Sequence, residues 1–211
     1  MAIRLNIRPT SEDLRGKSHW WGAPDLPKGM PYPYVEVNDG SEPYDEPLTF
    51  ICQIRLAELA EADKDNLLPH TGMLYFFAAI DSFLGEDSPL LLPGSGYAGE
   101  LVRVVYSEEE NDLEPYEIHW YGTDESIFRA AEAIEFLADD AQTGDGMLML
   151  CRPYADEVSE QYPDHVTLLQ VDEEDRWNLR FYDCGTLFFM IDKDALRQRQ
   201  FDRVTTELYY L

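Results

Sequence analysis

The chain has few basic residues to balance its acidic ones. Only 16 of its 211 residues are Lys or Arg, against 42 Asp and Glu, and the formal net charge is −26. A surface this negative repels phosphate backbones and anionic lipid, so we expect neither a nucleic acid nor a membrane among its partners. A basic protein is favoured as partner, because opposite charge accelerates encounter. General solubility is the alternative explanation of the charge.

Long hydrophobic runs are missing as well. The longest apolar run, residues 73–80, is too short to span a bilayer, and the N-terminus has no apolar core of signal-peptide length. The cysteines are odd in number and far apart, at Cys52, Cys151 and Cys184. We therefore expect reduced thiols in a cytoplasmic protein.

Motifs for catalysis and metal binding are also lacking. The four His residues are far apart and there is no C-x-x-C pair, so no metal site is predicted. Cys184 has no identifiable His base, which favours a structural cysteine over a nucleophile. Residues 94–99 match G-x-G-x-x-G, but a β pattern follows them where a dinucleotide site needs a helix, and a turn is favoured. No catalytic residue and no cofactor are predicted.

What the sequence does contain is one pattern that occurs twice. The first copy has LTFICQI at residues 48–54 and GMLYFF at residues 72–77, and the second has VTLLQV at residues 166–171 and GTLFF at residues 185–189. Each copy is an apolar strand that ends in Gln and a hydrophobic residue, followed by Gly-x-Leu-aromatic-Phe. This repetition predicts two structurally related halves in one chain.

The predicted fold is therefore α+β and β-rich, with two related halves packed into one globular unit. The halves are placed at roughly residues 1–106 and 107–211 of a single domain. Short helices are predicted at residues 56–62 and 193–200. The clearest predicted helix starts at Thr123 or Asp124. Its apolar stripe consists of Ile127, Ala130, Ala131, Ile134 and Leu137.

Two groups of residues are candidates for binding. Trp20 and Trp21 begin an aromatic, Pro-rich segment that either anchors a loop in the core or forms a recognition surface. Gln53 and Gln170 end the two apolar strands, where a buried amide must find partners. They either bind loop backbone at equivalent places or face a shared cleft and bind a ligand.

The segment WGAPDLP at residues 21–27 resembles the Gly-x-Pro-x-Leu-Pro signature of the YwqG-like bacterial family, a domain of unknown function. Residues 50–56 and the segment DCGTLFFMI at residues 183–191, which begins with Asp183, resemble further family motifs. A His-Lys-x-x-Gly-Tyr-Pro segment that is frequent in the family is echoed here only by Tyr162 and Pro163. The resemblance implies the fold, a bacterial cytoplasmic origin and an interaction role of the immunity type, but no reaction.

These observations lead to one leading function and two alternatives. The leading one is a non-enzymatic, acidic protein-binding module that meets a basic protein partner, with an immunity-like role as one form of it. The first alternative is an enzyme or small-ligand protein with a cleft between the halves, and the second is a structural protein without a specific ligand. The candidate binding residues are Trp20, Trp21, Gln53, Gln170 and Asp183.

Overall fold

The computed structural model describes residues 1–40, 42–94 and 98–210. Residues 95–97 of the glycine-rich segment therefore lie outside the described residues. The strands are β1 (Ala2–Pro9), β2 (His19–Trp20), β3 (Asp25–Pro27), β4 (Tyr34–Val37), β5 (Tyr44–Pro47), β6 (Thr49–Arg55), β7 (Met73–Ala78), β8 (Val102–Ser107), β9 (Leu113–Pro115), β10 (Glu132–Asp139), β11 (Leu148–Met149), β12 (His165–Asp172), β13 (Thr186–Asp192) and β14 (Thr205–Tyr209). The α-helices are α1 (Leu56–Leu59), α2 (Asp156–Gln161) and α3 (Lys193–Arg197).

Ten of these strands form one antiparallel sheet in the order β14-β13-β12-β11-β1-β10-β2-β6-β7-β8. Its two edges come close together, since the ring of Tyr106 on β8 lies 5.2 Å from that of Phe201, just before β14. The sheet is thus nearly closed, and two small sheets, β3–β9 and β4–β5, lie outside it. The protein is β-rich with few, short helices, and it is more purely β than the predicted α+β class.

The core fills the inside of the curved sheet. Phe76 on β7 and Phe189 on β13 meet there edge to face, with ring centroids 5.5 Å apart. The alternate residues of β7, such as Tyr75 and Phe77, face a second apolar cluster that includes Leu26 and Tyr32 of the Pro-rich segment. Both faces of β7 are therefore covered, which explains why this strand is apolar throughout.

The two Gln-containing strands have the same pairing geometry. In the β6–β7 pair the register shifts just before Cys52, and Gln53 lies opposite Tyr75. In the β12–β13 pair the register shifts just before Leu169, and Gln170 lies opposite Phe188. Each shift therefore stands at the same distance before the glutamine, as a β-bulge that both hairpins share.

A short third strand borders each of these hairpins. His19 of β2 and Leu148 of β11 lie opposite the two glutamines. Two residues further on, the chain turns through a left-handed conformation in both places, at Trp21 with φ 53° and at Leu150 with φ 54°. Such φ values are uncommon for large side chains, so their double occurrence shows that the two places share the same local backbone conformation, which we call the shared frame.

The centre of the sheet is the antiparallel pair of β1 and β10, which runs from Ala2–Asp139 to Pro9–Glu132. On its other side β1 pairs with β11, whereas β10 pairs with β2. Each of the two central strands thus lies beside the hairpin that is remote from it in sequence. A division of the chain near residue 106 would separate β1 and β10 from the neighbours with which they pair.

The helix predicted after Thr123 is wrong. Residues 132–139 form β10, in which Ile134 and Phe136 pack on the core while Glu135 and Leu137 point outward. Pairing with β1 along the whole strand and with β2 at one end outweighs the local preference for a helix. Of the predicted helical stripe only Ile134 and Leu137 lie in this strand, and they face opposite sides of it. The inward residues Ile134 and Phe136 instead follow the two-residue period of a strand.

Replacing Gly185 by Ala is expected to destabilise the protein, because an added Cβ would overlap the carbonyl oxygen of Phe181. An overlap with backbone of this kind costs about 2 kcal/mol or more. Gly144→Ala is the matched control, since a Cβ there meets only Arg4 Nη2 at 3.6 Å. Urea denaturation followed by circular dichroism compares the two variants, and equal midpoints would contradict the expectation.

Candidate binding site: an aromatic and acidic cleft

A cleft of about 350 Å³ opens beside the β6–β7 hairpin. Its walls come from residues that are far apart in sequence: 21–22, 45–50, 81–87 and 118–129, together with two tyrosines of the Pro-rich segment. The last of these segments is the loop that leads into β10. The cleft thus depends on the tertiary fold and cannot be recognised as a local motif.

Aromatic rings form one wall of the cleft. Tyr32 is buried, and its ring centroid lies 5.6 Å from that of Tyr34 and 5.9 Å from that of Phe128. The Tyr32 hydroxyl donates a hydrogen bond of 2.6 Å to the carbonyl of Leu48. This bond and the ring contacts hold the wall rigid, so that little side-chain entropy remains to be lost on binding.

The rim of the cleft carries aromatic side chains that are open to solvent. Trp120 is 51% exposed and Tyr121 is fully exposed, and Tyr34 is 40% exposed. Large aromatic residues at a surface bury much area at a small entropic cost, and they are enriched at the centres of protein interfaces. The rim thus has the composition of a protein-binding surface.

Five carboxylates line the same cleft: Asp45, Glu46, Asp81, Glu86 and Asp87. Asp81 is partly buried, and its Oδ1 accepts a hydrogen bond of 2.6 Å from the Thr49 hydroxyl. Burial raises the pKa of Asp81 above its ordinary value, and the charge of Glu86 adds to this. Burial and the charge of Asp81 likewise raise the pKa of Glu46. Burial and mutual repulsion therefore both disfavour the charged form of these carboxylates, and a bound cation would favour it.

Arg129 is the one arginine or lysine among the described residues of the lining. Its guanidinium pairs with Glu86 at 2.8 Å and donates to the carbonyl of Trp177 at 2.9 Å. The same group lies 5.6 Å from the centre of the Trp21 ring, within the range of a cation–π contact. The wall thus already contacts one guanidinium group through a ring and a carboxylate.

The two tryptophans predicted as binding residues are buried. Trp20 has no exposed surface and stacks on Trp177 with ring centroids 5.4 Å apart. Trp21 is 2% exposed and lines the cleft. Neither indole N–H has a hydrogen-bond partner among the described residues. Trp20 therefore belongs to the core, and Trp21 belongs to the inner wall of the cleft.

Gln53 is fully used inside the protein. Its Oε1 accepts a hydrogen bond of 2.8 Å from the Asp25 N–H, and its Nε2 donates to the Lys17 carbonyl and to Asp25 Oδ2, both at 2.8 Å. Burial raises the pKa of Asp25, but the interactions with His19, the Gly16 N–H and Gln53 outweigh it, so the pKa lies below its ordinary value. The amide thus ties a loop and a buried carboxylate to β6.

Gln170 is also held by backbone carbonyls, one of which is equivalent to a partner of Gln53. Its Nε2 donates to the carbonyls of Gly144 and Gly146 at 2.8 and 2.9 Å, and the Cys151 thiol lies 3.6 Å from its Oε1. Gly146 stands two residues before the β11 residue opposite Gln170, just as Lys17 stands two residues before the β2 residue opposite Gln53. Neither glutamine lines the cleft described above.

Asp183 lies on the exposed turn before β13, next to Cys184, and does not line the cleft. Across residues 1–40, 42–94 and 98–210, no group of three or more His, Cys, Asp or Glu side chains is arranged to hold a metal ion. No helix within these ranges has both the length and the apolar character needed to cross a membrane.

Fold and site together define a β-rich protein with an acidic, aromatic-lined cleft. A family model described as a domain of unknown function, DUF1963, matches residues 18–145 and 135–209. The chain belongs to this family. A search of curated proteins found no match.

Replacing Gln53 by Met should destabilise the protein by about 2 kcal/mol or more at pH 7, because the Lys17 carbonyl and the Asp25 carboxylate lose buried donors. Asp25 has a lowered folded pKa, so its ionised form stabilises the fold above the unfolded pKa, and this contribution is lost as the pH falls through the folded pKa. The variant should raise that pKa, and its deficit should therefore shrink in acid.

Urea titrations at pH 7 and at acidic pH measure this difference. Gln198→Met is the matched control, because Gln198 is exposed at the end of α3 and its substitution should leave stability nearly unchanged. A Gln53→Met variant with the control's stability would show that the buried amide is not needed.

Proposed function

We propose that this protein is a non-enzymatic binding module whose aromatic and acidic cleft receives a cationic side chain of a basic protein partner. The observation that carries the proposal is the meeting of carboxylates and rigid aromatic rings in one cleft. Ring faces and carboxylates both attract ammonium and guanidinium groups, and their attraction strengthens where water is partly excluded.

The overall charge supports a partner that is itself basic. With a formal net charge of −26, the protein attracts a cationic partner over the distance of a Debye length, which accelerates encounter and makes the association rate depend on salt. The exposed rings of Trp120 and Tyr121 would then pack against the partner's surface around the inserted side chain. Neutralisation of a basic toxin, as by an immunity protein, is one form of this function.

A small organic cation is the second candidate ligand. The cleft of about 350 Å³ falls in the size range of small-molecule sites, and its inner wall is apolar. The cleft lies beside the β6–β7 hairpin and is not formed around the two glutamines, so this candidate differs from a ligand held between the halves. A ligand that fills the cleft alone would not need the exposed rim.

We also infer that the chain consists of two related halves that exchange their first strands. The matching bulges, the matching left-handed residues Trp21 and Leu150, and the equivalent bonds of the two glutamines support this inference. In this division β1 of the first half pairs with β11, and β10 of the second half pairs with β2. A YwqG-like relationship, a bacterial origin and a cytoplasmic location are part of the same proposal.

The proposal predicts that short peptides with one cationic side chain bind in the cleft. The probes are acetyl-Gly-Arg-Gly-amide, acetyl-Gly-Lys-Gly-amide and the uncharged acetyl-Gly-norleucine-Gly-amide, followed by NMR chemical shifts. The Arg and Lys peptides should shift the Trp120 and Tyr121 resonances until the site is saturated. Added NaCl should weaken the binding of both peptides. The norleucine peptide should not saturate, since it lacks the charge.

Matched variants locate the site. Asp81→Asn should weaken the binding of the cationic peptides by about fivefold to tenfold, since one desolvated charge contributes roughly 1–1.4 kcal/mol to the binding free energy. Asp183→Asn is its control, because it removes the same charge from an exposed turn outside the cleft. Trp120→Ala should weaken the binding of the peptides, whereas Tyr182→Ala, which removes another exposed ring, should leave it unchanged. Equal binding of the norleucine peptide would overturn the proposal.

A further inference from the structure

A second cleft, of about 490 Å³, lies beside the β12–β13 hairpin. Leu150 and Cys151 line it, as Trp21 and Gly22 line the first cleft. Leu150 and Trp21 are the two residues with the matching left-handed backbone. The second cleft therefore lies at the same position beside the β12–β13 hairpin as the first cleft does beside the β6–β7 hairpin.

The Gln-containing strands confirm this placement. Val166 lines the second cleft and stands four residues before Gln170, and Thr49 lines the first cleft and stands four residues before Gln53. The same frame therefore builds two concave sites in one chain, while their linings differ in chemistry.

The lining of the second cleft is basic, in contrast to that of the first. Arg152, His165 and Lys193 all line it. Of the carboxylates, Asp65 lines the cleft but is paired with the Met1 ammonium group at 3.3 Å, and Asp192 lies opposite His165 in the β-sheet register. Positive groups thus gather at one place on a protein whose net charge is −26.

Arg152 and Lys193 have no carboxylate partner among the residues that the structure describes. Arg152 donates through Nε to the Ser159 hydroxyl at 3.3 Å, and Lys193 donates only to the Pro163 carbonyl at 3.5 Å. Neither forms an ion pair within residues 1–40, 42–94 and 98–210, although acidic residues outnumber basic ones by 42 to 16 in the sequence. Their charged groups remain available to an anion.

His165 supplies an independent observation. Its Nδ1 is buried and has no hydrogen-bond partner among the described residues, while the ring packs against Tyr162 with centroids 5.2 Å apart. A buried polar atom without a partner is costly in free energy, and the His165 ring belongs to the lining of the second cleft. Cys151 does not oppose an anion here, because burial raises the pKa of its thiol to about 12 and keeps it neutral.

We infer that the second cleft binds a small organic anion through a carboxylate or phosphate group. Arg152 and Lys193 pair with the charged oxygens, and the His165 ring lies in the same lining. The apolar part of the ligand packs against Leu150, Val166 and the ring of Tyr162. This site is independent of the cation-binding cleft, and the two can succeed or fail separately.

The test is an NMR titration of the intact protein with inorganic phosphate and with benzoate, at constant ionic strength set with NaCl. Saturable shifts of the His165 ring with phosphate support a phosphate ester as natural ligand, and saturable shifts with benzoate support a carboxylate. Shifts no larger than those produced by NaCl alone with either anion would overturn the inference.

Variants that each remove one positive charge test whether the anion binds in this cleft. Arg152→Gln and Lys193→Gln should each weaken anion binding by about fivefold, whereas Lys28→Gln should leave it unchanged, because Lys28 is exposed and outside the cleft. Asp81→Asn, in the first cleft, should also have no effect on the anion. Full anion binding by the Arg152→Gln, Lys193→Gln double variant would overturn the inference.

Discussion

The burial of two glutamine side chains is the constraint on which both clefts depend. An amide in a dry core is tolerated only when its donors and its acceptor are satisfied, and Gln53 and Gln170 achieve this by holding loop backbone. Each held loop leads directly into a short strand and then into a left-handed residue, Trp21 or Leu150. The amides thereby fix where each chain segment leaves the sheet, and the clefts open at those points.

The strands that were predicted from the sequence are those whose own residues indicate that they are buried. β6, β7, β12 and β13 lie close to their predicted positions, because a strand covered on both faces is apolar almost throughout. β1 and β10 were missed because their partners lie far away in sequence: Ala2 pairs with Asp139. No local pattern reports such a contact, and β10 in isolation fits a helix at least as well.

The candidate site was predictable only in part, for the same reason. The aromatic N-terminal segment was recognised as a possible binding element, and Trp21 lies in the wall of the cleft. Trp120 and Tyr121 were not among the predicted binding residues, yet they stand exposed on a turn. Their turn-forming neighbours Gly122 and Thr123 were a usable signal. The convergence of the carboxylates, in contrast, follows only from the folded chain.

The two clefts have the same frame but different lining residues. The shared interactions that hold the protein together are therefore distinct from the charged side chains that line the clefts. The bulges, the left-handed residues and the glutamine bonds involve backbone and buried amides, so they set few demands on the side chains that face the clefts. Burial, together with the charge of neighbouring carboxylates, raises the pKa values of Asp81 and Glu46 in one cleft. At the other, Arg152 and Lys193 have no carboxylate partner in the part of the chain that the structure describes. Because such charge lowers stability and contributes nothing to the shared bulges and turns, it supports the proposal that each cleft binds a ligand of opposite charge.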